Sequence, residues 1–125
     1  MRFATLIRIA GTLGLLFGLG FLLAPTAVLQ QYGVATDAAG AFMSQFFGAA
    51  LLQLGLVFLL VRDLPVSAVP RVAAGAAVGE LAGLWIAIRI QLGGQVNGLG
   101  WSTVAIYGLL ALAFGGFALR KPQPG

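Results

Sequence analysis

The sequence predicts an all-α membrane protein, a bundle of four transmembrane helices with both termini in the cytoplasm. Three observations carry that expectation. First, 60% of the 125 residues are hydrophobic and only 8% are charged, and the mean hydropathy is +1.02. A water-soluble domain carries about 25% charged residues because its surface faces water, so most of this surface is expected to face lipid. Second, the apolar residues gather into four runs, each long enough to cross a bilayer. Third, the basic residues fall almost entirely on one side of such a membrane.

The runs cover residues 3–24, 38–61, 66–90 and 99–119. Each meets the ~20 residues that cross ~30 Å of hydrocarbon at a helical rise of ~1.5 Å. None alternates polar and apolar residues with a period of two, which argues against the strands of a membrane barrel. Pro25 and Pro65 punctuate the ends of runs, and Pro70 fits a first helical turn, where its missing N–H does no harm. Thr36 or Asp37 is placed to cap the second helix, and Ser67 the third. No internal repeat is visible, so residues 1–125 read as one four-helix transmembrane domain. The first run has the positive start and apolar core of a signal peptide. Pro25 disrupts the small-residue cleavage sites near Ala24 and Ala27, and the run is expected to stay as a span.

Charge asymmetry gives the expected topology. Arg2 and Arg8 lead into the first span, Arg62 and Arg71 bracket the loop between the second and third, and Arg120 and Lys121 follow the fourth. Residues 25–37 and 91–98 contain no Lys or Arg. The positive-inside rule makes the basic side cytoplasmic. Arg89, at the outer end of the third span, is the exception.

Glu80 stands out because it lies near the middle of the third apolar run. An ionisable residue at that depth costs about 2.5–3.5 kcal/mol on insertion scales, so something must offset it. One reading makes it a protonated carboxyl that bonds a neighbouring helix. Gln53, also near mid-membrane, is the best partner, and Gln45 lies two helical steps of four before it. A polar seam between the second and third helices would follow. Arg8, about a turn inside the boundary, either snorkels to the headgroups or reaches inward to Glu80. The other reading makes Glu80 a proton or cation site.

Arg89 lies nine residues from Glu80 and points to the opposite face. Trp85, one turn earlier, offers a cation–π contact, and Asp37 an ion pair at the outer surface. An anionic lipid or ligand is the alternative partner. Gly75, Gly79 and Gly83 recur at four-residue spacing on the third helix, as Gly14 and Gly18 do on the first. Small residues let membrane helices approach closely, so both rows are expected to pack against protein. The spacing leaves open whether the contact lies within the chain, between copies or with a foreign subunit.

Catalysis finds little support. Without Cys or His, a nucleophile–base pair would rest on Ser44, Ser67, Ser102 and a few carboxylates. Sulfur and imidazole ligands for a metal or haem are absent. The glycines at 93, 94, 98 and 100 lack the Lys and Ser/Thr of a phosphate-binding loop. No basic stripe with interleaved aromatics points to nucleic acid. Trp101 and Tyr32 fit the interfacial aromatic belt, whereas Tyr107 lies deeper and needs a partner for its hydroxyl. The sequence thus predicts no enzyme, no cofactor and no metal.

The stretch from Gly18 to Pro25, then Tyr32-Gly33, Phe47 to Ala50, Leu54-Gly55 and Asn97 to Trp101, resembles a broad group of uncharacterised bacterial four-span proteins. The resemblance implies a four-helix fold in the bacterial inner membrane and carries over no catalytic residue. In size, and in having one membrane glutamate, the chain is also similar to small multidrug-resistance transporters. Their functional glutamate lies in the first span, however, and here it lies in the third. The expected function is that of a non-enzymatic accessory or assembly subunit, packing against a partner subunit, another copy or lipid. The alternative is a small oligomeric proton-coupled transporter that uses Glu80.

Overall fold

A computed structural model describes residues 1–61 and 63–121. Arg62, one of the basic residues behind the expected topology, and residues 122–125 lie outside the described residues. Among the described residues the secondary structure is helical throughout: α1 (Phe3–Leu23), α2 (Pro25–Gln31), α3 (Ala38–Leu60), a 3-10 turn (Val66–Ala68) leading into α4 (Val69–Leu92), and α5 (Gly100–Ala118). Four of these helical segments are long and apolar enough to cross a membrane. They coincide with the four apolar runs to within two residues at each end, and the protein is a multi-pass membrane protein by that measure.

Local chemistry explains most boundaries. Asp37, not Thr36, caps α3, its carboxylate accepting from the Gly40 N–H at 2.8 Å. Ser67 does not cap α4; it sits inside the 3-10 turn, and α4 has no side-chain cap. Pro70 occupies the first turn of α4, as expected. Pro25 does more than close α1: it opens α2, a short helix that the sequence reading treated as loop. Two helices end in the same way. Gly33 (φ 74°) follows α2 and Gly94 (φ 69°) follows α4. Beyond them, Val34 N–H bonds Leu29 O at 3.0 Å and Gln95 N–H bonds Ile90 O at 3.2 Å. These are Schellman ends, which need a left-handed residue and therefore favour glycine.

The chain gathers into two compact units, one of Ile7–Arg62 and one of Met1–Leu6 with Asp63–Gly125. In the first, α1 and α3 meet backbone to backbone. A Cβ on Gly18 would lie 2.6 Å from Leu52 N, one on Gly48 2.6 Å from Leu22 N, and one on Gly55 2.7 Å from Gly11 O. Only hydrogen fits at those positions. Phe21 and Phe47 pack edge to face at 5.2 Å beside this seam, and α2 packs against α3.

In the second unit, α4 and α5 form a helical hairpin joined by residues 93–99. Its contacts run through side chains. The Tyr107 ring fills the space above Gly83, and Leu84 meets Gly108. Phe3 packs edge-on against Phe117 at 5.1 Å and Phe114 at 6.3 Å, and Phe114 is wholly buried.

Candidate functional site

α4 presents two contrasting faces, each marked out by alternate steps of four and three residues. The inward face runs Ala73, Ala77, Glu80, Leu84, Ala87 and Gln91, all buried or half-buried. The outward face runs Arg71, Gly75, Val78, Ala82, Trp85 and Arg89, all exposed. Glu80 is therefore half-buried at the middle of the helix, one and two turns beyond two buried alanines. Its carboxyl has no hydrogen bond or ion pair among the described residues.

The three residues expected beside Glu80 lie outside its own unit. Arg8, Gln45 and Gln53 belong to the other unit. Gln45 Nε2 donates to Leu22 O at 3.1 Å and ties α3 to the end of α1. Gln53 is exposed and has no hydrogen-bond partner among the described residues. Arg8 is exposed in the second turn of α1. Exposure this close to the helix end suits a guanidinium that snorkels to headgroups.

Asp37 and Arg89 also lie in different units. Asp37 serves as the α3 cap. The Arg89 guanidinium stacks over the Trp85 ring, 4.7 Å from its centroid, the cation–π geometry that their one-turn spacing allows. Trp85, Ile86, Arg89, Ile90, Gly93 and Gln95 line an open groove at this end of α4.

The two glycine rows part company. Gly14 and Gly18 are packed against the backbone of α3. Gly83 is packed against Tyr107, but Gly75 and Gly79 have nothing among the described residues within 4 Å of where a Cβ would stand. Of this row, Gly83 alone is packed among the described residues. Four-residue spacing drifts around a helix of 3.6 residues per turn, so Gly83 turns towards α5 while Gly75 stays on the outward face.

Gln91 was not singled out from the sequence. Its Nε2 donates to Asn97 O at 3.3 Å, and its Oε1 is buried without a partner among the described residues. The side chain clasps the α4–α5 loop, and it lies so close to Gly100 that a Cβ there would collide with Oε1. The signal was its place on the inward face, three turns beyond Glu80. Asn97 completes the loop by accepting from Leu99 N–H at 3.0 Å. Among the described residues no group of acidic, His or Cys side chains is placed to hold a metal. No protein-family model matches the chain, and no curated protein or solved structure is significantly similar to it.

Proposed function

We propose that the protein is a non-enzymatic membrane subunit, a four-helix bundle with cytoplasmic termini that assembles with another membrane protein through the outward face of α4. One observation carries the reading: Gly75 and Gly79 stand exposed with open space above them. A glycine in a helix interior costs ~1 kcal/mol relative to alanine, and no contact among the described residues offsets that cost. Small residues at four-residue spacing offset it when a second helix lies against them. Val78 and Ala82 flank the pair and keep the face shallow. The kinship with bacterial inner-membrane four-span proteins belongs to the same proposal.

The test is Gly75→Leu with Gly79→Leu in tagged protein purified in mild detergent. The variant is expected to keep the parent's thermal transition, because both leucines project into open space, and to lose a stoichiometric partner that the parent retains. A partner retained in full by the variant refutes the reading.

The Glu80 carboxyl favours a second reading, proton-coupled transport, because it is half-buried at mid-span with no hydrogen bond among the described residues. Glu80→Gln separates the two. It abolishes proton-linked flux in liposomes if the exchangeable proton is essential, and leaves assembly and stability unchanged if Glu80 is structural.

A further inference from the structure

α3 carries a seam that the contacts within its own unit leave open. Phe42, Phe46, Ala49, Gln53, Leu56 and Leu60 are all exposed, Phe46 by 67% and Leu60 by 81%. They follow one another in alternate steps of four and three residues, the 3.5-residue period of a left-handed helix pair. The opposite side of α3, with Gly48, Gly55 and Phe58, is the buried one.

Five of these six side chains are at ease in lipid. Gln53 is not, because an amide in hydrocarbon needs hydrogen-bond partners. About 10 Å of helix separates it from Leu60, too far for a side chain with two methylenes to reach water. Yet it has no partner among the described residues.

We infer that a second copy of this chain covers the seam, with two α3 helices packed in parallel and their Gln53 amides bonded to each other. A primary amide carries both donors and acceptors, so it is complementary to itself. A two-fold contact of this kind sets a residue against its own copy. α3 contains no charged residue, so the seam holds nothing that selects an ionic partner or repels its own copy. Ala49, one turn before Gln53, lets the two backbones approach. The helix and the occupant both differ from those of the α4 assembly face.

The chain has no cysteine, so single cysteines report contacts without background. Purified full-length protein is reconstituted in phosphatidylcholine vesicles, where no foreign protein is present. Ala49→Cys and Leu56→Cys are expected to form intermolecular disulfides on oxidation, and Leu54→Cys, which points 100° away from Gln53, is not. Gln53→Leu is expected to raise the dimer dissociation constant, read by Förster transfer on dilution into lipid, roughly tenfold, about 1.4 kcal/mol. Gln53→Asn should retain most of the parent's affinity. Gly79→Leu should leave the cross-links intact, so failure of the α4 assembly reading does not carry over. The inference is overturned by a monomer throughout the dilution series, by equal cross-linking at position 54, or by a Gln53→Leu variant that dimerises as tightly as the parent. It is also overturned if Gln53→Leu unfolds the monomer and leaves the dimer affinity unchanged, which would put its partner inside the chain.

Discussion

Gly18→Ala and Gly79→Ala are chemically the same change, and the structure predicts opposite outcomes. A Cβ on Gly18 would lie 2.6 Å from Leu52 N, 2.9 Å from Gly48 O and 3.0 Å from Leu52 Cα. All three obstacles are backbone atoms of α3, so no side chain can swing aside. To reach the 3.4 Å of ordinary contact, α1 and α3 must part by about 0.8 Å at that point. A gap of that size forfeits roughly a quarter to a half of the dispersion well of each facing atom pair. Overpacking of this kind typically costs ~1–3 kcal/mol. The alanine gains at most ~1 kcal/mol of helix propensity, which leaves a net loss of up to ~2 kcal/mol. Gly79→Ala meets nothing, keeps the propensity gain, and is expected to change stability by between zero and about +1 kcal/mol. The assay is equilibrium unfolding in mixtures of mild detergent and dodecyl sulfate. Dyes on single cysteines at the exposed positions Leu19 and Leu54 report when α1 and α3 separate. A Gly18→Ala protein as stable as the Gly79→Ala protein would refute the backbone-to-backbone seam.

Three further outcomes are expected. Gly83→Ala should destabilise the α4–α5 hairpin by ~1–2 kcal/mol in thermal unfolding, because its methyl enters the Tyr107 ring; adding Tyr107→Ala should relieve that clash, and two strictly additive losses would argue against the contact. Gly94→Ala should lower stability by ~1 kcal/mol, since Gly94 holds φ 69° and an L-residue pays roughly that for the left-handed region; an unchanged transition midpoint would count against the Schellman end. A reporter fused at the C-terminus should be cytoplasmic and one in the 91–98 loop external, and finding both on one side would remove the four-span topology.

The spans were legible because hydropathy over twenty residues is a strong, additive signal that tertiary context does not override. α2 was missed because proline closes one helix and opens the next with equal ease, and seven residues are too few to show a period. The Gly14–Gly18 and Gly75–Gly79 pairs look alike on paper. Spacing reports which residues share a face, and in a chain apolar all round it does not report what that face meets. Gly48 and Gly55, seven residues apart, went unremarked as packing residues although they are the counterpart of the α1 row; a search confined to four-residue steps passes over the other period that keeps residues on one helix face. Trp85 and Arg89 were legible because their contact is local to one turn. Gln91 was not, since its partner Asn97 lies across a loop whose shape depends on Gly94.

The α1–α3 seam bears on how this sequence is free to drift. Its fit resides in positions that lack side chains, so shape alone, and no particular functional group, recognises shape there. Lipid-facing positions such as Leu16 and Leu23, exposed by 65% and 77%, accept any apolar residue of suitable size. Gly11, Gly18, Gly48 and Gly55 accept none, since even a methyl group meets opposing atoms at 2.6–2.8 Å. In a library of single substitutions, intolerance should therefore concentrate at the smallest residues. Distant descendants of this chain would share little besides a few glycines at heptad intervals, which is too sparse a pattern for ordinary sequence comparison to detect.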